Sequence, residues 1–295
     1  MSDTSFASPL AQLSAAMVDA VAAASRSVVA VHAGRVRASG FVWRDGLVVT
    51  CDEALPEDET VELVLPGGAS VQAAVAGRDP GTDIALLRIE AAALVPVALD
   101  TAPAAQAGAI ALAVGASNGS PLSAAGTVSL AGPAWRSLRG GDIDARIELD
   151  LMLRRSAEGG LVVDAGGRAF GMAVFGPRQR VLVIPAATIE RVASLLATHG
   201  RVPRGYLGLA LQPVKLNPSG VGAMVMNVAA NGPAAAAGLR QGDVIVAWNG
   251  QPVRSIQMLL RALGPASVGT VLTLTLQRAG EPAEARLTVG ERPAD

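Results

Sequence analysis

Short apolar runs, each closed by a turn, recur through most of this chain and restrict it to a β-rich fold. From Ser27 the sequence reads SVVAVHAGRVRASGFVWRDGLVVT, where Gly34, Gly40 and Asp45-Gly46 cut Val-rich stretches. Asp-Gly between two apolar runs is a strong hairpin signal. The pattern continues through VELVLPGGASVQAAVAG, DIALLRI, AIALAVGA, GTVSLAG, ARIELDL, GGLVV, AFGMAVFG and RVLVIPA. That many short strands at regular spacing predict an all-β barrel or sandwich pair. Composition agrees, since 51% of residues are apolar but only 3% aromatic. A core of small branched side chains suits β structure.

Two helices and a second module complete the reading. Leu10, Leu13, Met17, Val18 and Val21 in residues 9–24 have helical spacing, which predicts an amphipathic helix. ATIERVASLLATHG predicts a helix stopped by Gly200. A boundary follows in GRVPRG, at about residues 200–205. Beyond it, YLGLALQPV and AMVMNVA read as strands, GPAAAAGL as a short helix capped by Gly238, DVIVAWNGQPV as a hairpin turning at Asn249-Gly250, SIQMLLRAL as a helix, and TVLTLTLQRAGEPAEARLTV as a second hairpin. The expected organisation is a helical segment over 1–25, a β domain over 26–200 and a compact α+β module over 201–295.

Several functions are disfavoured. A formal net charge of -1 gives no electrostatic footprint for nucleic acid or an anionic membrane. Cys51 is the one cysteine, so no internal disulfide forms. The longest uncharged stretch, Thr101 to Trp135, is broken by Gly, Pro, Ser and Asn and does not read as a membrane span. The N-terminus has no basic n-region and Asp19 interrupts its apolar part, so no secretory signal is read and a cytoplasmic location is expected. No cofactor is expected.

RGYLGLALQ, NGPAAAAGLRQGDVIVAWNGQPV and TLTLQRAGE, in that order, resemble a bacterial-type PDZ domain. The resemblance implies capture of a protein or peptide C-terminus, with a Gly-containing loop meeting the carboxylate and the next strand pairing with the peptide. It places Tyr206, Leu207, Gly208 and Leu209 at the loop and strand start. It makes Ile256, Leu259, Leu260 and Leu263 candidates to line the side-chain groove.

LVVTCDEAL, GRDPGTDIALLRIE and SAEGGLVVDAGGRAFGM resemble the three catalytic-loop segments of the HtrA/DegP family, trypsin-like proteases that carry C-terminal PDZ domains. The fold so implied is mostly β: a chymotrypsin-like double β-barrel followed by an α+β PDZ domain. The family's acid position is Asp83, in Arg78-Asp79-Pro80-Gly81-Thr82-Asp83. The histidine position falls on Glu53 and, in the gap-free register set by Gly159-Gly160, the nucleophile position falls on Glu158. The glycine expected two places earlier is Ser156.

Acyl transfer needs a nucleophile, a base and an oxyanion hole. Losses of this kind cost several powers of ten each. The expectation is therefore a pseudoprotease, not an enzyme, that serves as a peptide-binding chaperone, adaptor or scaffold. The alternative is a residual hydrolase, either serine-type with a non-standard site or a carboxylate–metal site. His32 reads as an ordinary strand residue, His199 as a helix-end residue and Cys51 as a small apolar residue at a strand end. Three converging carboxylates, Glu53, Asp83 and Glu158, would need a raised pKa, a hard cation such as Ca²⁺ or Mg²⁺, or a neutralising arginine, for which Arg44, Arg154 and Arg155 are candidates. Relaxed loops with the carboxylates in water remain the other reading. The resemblance also implies a homo-oligomer, trimer-like, or a stable complex with a partner protein.

Overall fold

The computed structural model describes residues 8–56, 60–90, 94–102, 105–216 and 220–293. The chain divides into two compact units, Met1–Arg201 and Val202–Asp295.

The first unit opens with helix α1 (Pro9–Ser25). The Ser8 hydroxyl accepts the Ala11 N–H at 3.3 Å, and Pro9 sits in the first turn, where its missing N–H costs nothing. Six strands follow: β1 (Val28–Ala33), β2 (Val36–Arg44), β3 (Leu47–Thr50), β4 (Thr60–Val64), β5 (Ser70–Asp79) and β6 (Ile84–Arg88). They close into a barrel in the order β1-β2-β3-β6-β5-β4. Asp45-Gly46 makes the β2–β3 turn, with Gly46 at φ 67, as the sequence predicts. Closure leaves no strand edge open, so alternate side chains such as Val29, Phe41, Leu63 and Leu86 lie fully inside.

A second barrel contains β7 (Ile110–Ser117), β8 (Ser120–Gly132), β11 (Arg146–Asp150), β12 (Leu161–Asp164), β13 (Ala169–Phe175) and β14 (Val181–Pro185), in the order β11-β14-β13-β12-β7-β8. A small hairpin, β9 (Trp135–Arg136) and β10 (Asp142–Ile143), projects between β8 and β11. The start of β8 lies ahead of the GTVSLAG run, at Ser120. Its extension, SPLSAA, is poor in strand formers, yet the Asn118-Gly119 turn (φ 47 and 79) pairs it with β7 residue by residue. Tertiary pairing overrides weak propensity here.

Helix α2 (Ala186–His199) leaves the second barrel and packs on β5 and β6 of the first. Ile189, Val192, Ala193 and Leu196 are buried beneath it, each large side chain contributing about 1.5–3 kcal/mol. Gly200, left-handed at φ 69, ends the helix with its N–H on the Leu196 carbonyl.

The second unit is a sheet with two short helices. β15 (Gly205–Tyr206) pairs with β22 (Gly290–Glu291) as a two-stranded sheet. The main sheet runs β16 (Leu209–Lys215), β17 (Val221–Val228), β18 (Val244–Trp248), β20 (Val271–Arg278) and β21 (Glu281–Thr288), with β19 (Gln251–Pro252) hairpinned onto β18. Helices α3 (Pro233–Ala236) and α4 (Ile256–Ala262) cover it. The core includes Ala223, Val225, Ile245, Leu259, Leu272, Leu274 and Leu276.

Among the described residues no helix is long and apolar enough to cross a membrane.

Candidate functional site

Three loops of the first unit converge on one cleft of about 1010 Å³. The first is a 3-10 turn, Asp52–Ala54, directly after β3. It is pinned from β5 by Arg78, whose guanidinium reaches Asp52 Oδ1 at 2.6 Å and the Pro56, Asp52 and Leu55 carbonyls at 2.8, 3.1 and 3.1 Å. The second is the β5–β6 turn. There Asp79 accepts the Thr82 hydroxyl at 2.7 Å and the Gly81 N–H at 3.3 Å. This closed turn holds Asp83 at φ 57, a left-handed conformation that a non-glycine residue adopts at a cost.

The third loop is a 3-10 turn, Arg155–Ala157, ending at Glu158 and Gly159. Ser39, buried on β2, organises it. Its hydroxyl donates to the Ser156 carbonyl at 2.6 Å and accepts the Ala116 N–H at 2.9 Å, and its N–H reaches the Glu158 carbonyl at 2.7 Å. Gly159, at φ 81, sits where a Cβ would overlap the Ser39 carbonyl. Gly115 makes the matching close approach, since its Cβ would lie 2.7 Å from Ala157. Small residues are required at both places because backbone meets backbone.

Glu53, Asp83 and Glu158 all line the cleft, but each is engaged differently. Asp83 Oδ1 accepts the Glu53 backbone N–H at 2.8 Å. The Glu53 side chain turns to Arg139 at 2.9 Å. Glu158 Oε1 accepts the Phe175 N–H at 3.1 Å. Burial, reinforced by the Glu53 and Glu158 charges, pushes the Asp83 carboxyl up to about 7, against the pull of the Glu53 N–H. Burial also raises the Glu158 carboxyl, with the Glu53 charge adding to it and Arg155 opposing. Cys51 is fully buried and its thiol is pushed well up by burial and by Asp83 and Glu158. It is an apolar strand-end residue, not a thiolate.

The three acids face three different donors, and among the described residues no group of three carboxylate, histidine or cysteine side chains comes together at metal-binding distance. Of the arginines expected to neutralise the acids, Arg155 lines the cleft and acts on Glu158, whereas Arg44 stacks on Trp43 and pairs with Glu190; the arginine that pairs with Glu53 is Arg139, on the β9–β10 hairpin. Arg139 lies 56 positions from Asp83 in sequence, and only the docking of that hairpin on the Gly81 loop, through the Ser137 hydroxyl at 2.5 Å from the Gly81 carbonyl, brings it in. Neither histidine lies in the cleft. His32 is on β1 beside Glu62, and His199 closes α2. The backbone N–H of Glu158 donates to the Arg155 carbonyl at 3.1 Å, so in this conformation it is spent within its own turn.

In the second unit, Leu207 and Gly208 form the loop between β15 and β16. Their carbonyls accept the Ala234 and Ala229 N–H groups at 2.9 and 2.8 Å. Their own N–H groups meet no acceptor among the described residues. Gly208 is left-handed at φ 75. β16 starts at Leu209 and, among the described residues, pairs with β17 alone, which leaves its other edge open beside α4. Tyr206 closes β15. On α4, Ile256 and the following Leu263 are half-buried and Leu260 is 57% exposed, one helical face at i, i+4 and i+7. Leu259 is corrected: it is 1% exposed and belongs to the core, so it supports the groove from beneath.

Two family models match this chain: a trypsin-like peptidase domain over residues 38–172 and a PDZ domain over 205–289. This chain belongs to the HtrA/DegP-like family. A probable periplasmic serine endoprotease DegP-like from Brucella suis biovar 1 is 31% identical over 275 residues, covering 87% of this chain and 53% of that protein. The protein of the same description from Chlamydia trachomatis serovar D is 33% identical over 276 residues, covering 88% and 55%. The chain thus spans about half the length of the curated relatives it matches. A serine endoprotease from Yersinia pestis superposes with a TM-score of 0.74 at 26% identity, covering 94% of this chain and 98% of that one. The HtrA-type protease AlgW with decapeptide shares the fold, with a TM-score of 0.74 at 21% identity, covering 94% of this chain and 99% of that one.

Membership in the HtrA/DegP-like family corrects two expectations. The expectation of a non-enzyme rested on three positions, whereas the likeness to named serine endoproteases runs over 275 residues and points to a protease. The expectation of a cytoplasmic location rested on the composition of the first residues, whereas the relatives are named periplasmic and point there.

Proposed function

We propose that this HtrA/DegP-like chain handles protein substrates or partners by capturing a C-terminal segment in its PDZ groove. Holding a segment in that way suits a chaperone, adaptor or assembly role. The supporting observation is the pair of unspent backbone N–H groups at Leu207 and Gly208, beside the open edge of β16. A carboxylate accepts charge-assisted bonds from such donors, and the strand edge extends the sheet with the peptide backbone. Ile256, Leu260 and Leu263 would then meet the peptide's apolar side chains, with Tyr206 and Leu209 flanking the entrance. Anisotropy titration with labelled peptides of apolar C-terminus tests this. The free-acid form should bind, and C-terminal amidation should weaken it by about tenfold or more, since hydrogen bonds to a charged group are worth ~1.5–3 kcal/mol. Equal binding of the two forms, or none, refutes it.

A second reading, peptide hydrolysis at the barrel cleft, is favoured by the names of the relatives. We further propose that Glu53, Asp83 and Glu158 stand at the family's catalytic positions. Of these, Asp83, half-protonated near neutral pH, has the pKa suited to proton transfer. Casein turnover that is present in the native chain and lost in Asp83→Asn supports this reading; turnover unchanged in that variant excludes the role for Asp83.

A further inference from the structure

We infer that the barrel cleft receives an acidic peptide segment, selected by a rim of arginines. The rim residues Arg35, Arg37, Arg139, Arg155 and Arg178 all line the cleft and are all exposed. They come from four separate places: the β1–β2 hairpin, the β9–β10 hairpin, the 3-10 turn before Glu158, and the loop after β13. The chain as a whole is nearly neutral, so five converging arginines mark this surface out. Lys215 is the only lysine, so positive charge here is presented wholly as planar forks, the geometry that binds carboxylates bidentately.

The acids of the cleft cancel only part of this rim. Glu53 pairs with Arg139, which leaves Arg35, Arg37, Arg155 and Arg178 to meet a ligand's carboxylates. Asp83 and Glu158 lie deeper, in the floor, where burial pushes both carboxyls up. Arg155 lies over the Phe175 ring, 5.6 Å from its centroid. Arg37 is braced by its own hairpin, donating to the Gly34 and Val36 carbonyls at 2.8 and 2.9 Å. The Arg178-Gln179 backbone is left-handed at both residues (φ 59 and 58), a conformation that non-glycine residues hold only under constraint. Between the arginines stand Leu138, 95% exposed, and Val36, 44% exposed. Alternating cationic and apolar contacts fit a peptide with glutamates flanking an apolar stretch. A nucleic acid would bring no partner for Leu138 and Val36.

The inference concerns the barrel alone and stands apart from the PDZ reading. Its test uses the full chain and ten-residue peptides acetylated and amidated at their ends, so that no terminal carboxylate is offered to the PDZ loop. A Leu-Ala core flanked by Glu is compared with its Gln and Lys counterparts and with a single-stranded oligodeoxynucleotide. The Glu peptide should bind about tenfold tighter than the Gln peptide at low salt, and the difference should collapse near ~0.5 M salt. Arg35→Glu and Arg178→Glu should each reduce Glu-peptide binding while leaving the circular dichroism spectrum unchanged; if one fails to fold, the other carries the test. Equal binding of the Gln peptide, tighter binding of the Lys peptide or the oligonucleotide, unaffected variants, or no binding at all each overturns it.

Discussion

Arg78 is the most exacting place to test the architecture of the acid cleft. Its guanidinium makes four hydrogen bonds, one to the Asp52 carboxylate and three to the Asp52, Leu55 and Pro56 carbonyls. The Asp52 side chain is 6% exposed, and that of Arg78 is 30% exposed. Arg78→Met keeps the stem but strands a buried carboxylate, a change that costs ~3–5 kcal/mol in well-buried pairs. Water reaches part of the guanidinium site, which places the loss near the lower end, at ~3 kcal/mol. For a unit of this size that is roughly 6–12 °C in Tm. Asp52→Asn in the Arg78→Met background removes the stranded charge, so the double variant should lose less than the two singles summed, by about 1–3 kcal/mol. Urea unfolding followed by Trp fluorescence measures the stability. Hydrogen exchange should report faster opening of Cys51–Pro56 before global unfolding, because the bonds lost all hold that segment. A loss below ~1 kcal/mol, or strictly additive variants, would refute the claim that this bridge holds the turn carrying Glu53.

Other expectations follow from the same structure. The Asp83 carboxyl is raised from 3.8 to about 7, so between those values the folded state binds the extra proton. Stability is therefore greatest at the acid end of that window and falls as pH rises through it. Asp83→Asn, which keeps an acceptor for the Glu53 N–H, should flatten that slope in a Tm-versus-pH series and leave the variant the more stable protein at about pH 8. Asp243 shows the opposite sign. Arg278 grips both of its carboxylate oxygens at 2.8 Å, holding its pKa below the usual carboxylate range. The stability this pair gives the PDZ unit is present above the ordinary Asp pKa of about 3.9 and lost as pH falls through the depressed folded value, and Asp243→Asn should remove that acid sensitivity in the same Tm series. Gly141→Ala would drive a Cβ into the Gly81 carbonyl, and should lower Tm and weaken the docking of the β9–β10 hairpin, read as faster exchange of residues 135–143.

The strands and their turns were legible because they rest on local chemistry. Asp45-Gly46 and Asn249-Gly250 turn their hairpins and Gly200 stops α2, with Gly46, Asn249, Gly250 and Gly200 in the left-handed backbone that Gly and Asn tolerate. The three cleft loops were legible through the resemblance of their segments to those of the HtrA/DegP family, while local bonds such as that from Thr82 to Asp79, three places back, give them their shape. What the sequence hid was long-range. Arg139 meets Glu53 across 86 positions, and Ser39 meets Ser156 across 117. No periodicity marks Ser39, because its importance lies in one hydroxyl aimed at a loop from the other barrel. The PDZ resemblance put Leu259 and Leu260 together as groove candidates, but a single helix position separates core from surface, and Leu259 falls on the core side.

The cleft is held from behind rather than by the side chains it displays. Arg78 ties the Glu53 turn, Asp79 and Thr82 tie the Asp83 turn, and Ser39 with Gly115 and Gly159 ties the Glu158 turn. None of these contacts uses the carboxyl of Glu53 or Glu158, and the one bond to Asp83 is to a backbone N–H that an amide oxygen serves equally well. The loops therefore keep their positions whatever acid or amide stands at 53, 83 and 158. Substitution there changes the charge of the floor while the frame persists. Glu53→Gln should shift stability by less than ~1 kcal/mol in urea unfolding, and Glu158→Gln should cost no stability at neutral pH, because burial already disfavours the charged form there. The amide placed at position 53 loses the ion pair with half-exposed Arg139, a surface-type interaction of ~0–1 kcal/mol, and the amide oxygen placed at position 158 still accepts the Phe175 N–H. A large stability loss in either variant would show that the frame depends on these charges, and the separation of scaffold from floor would fall.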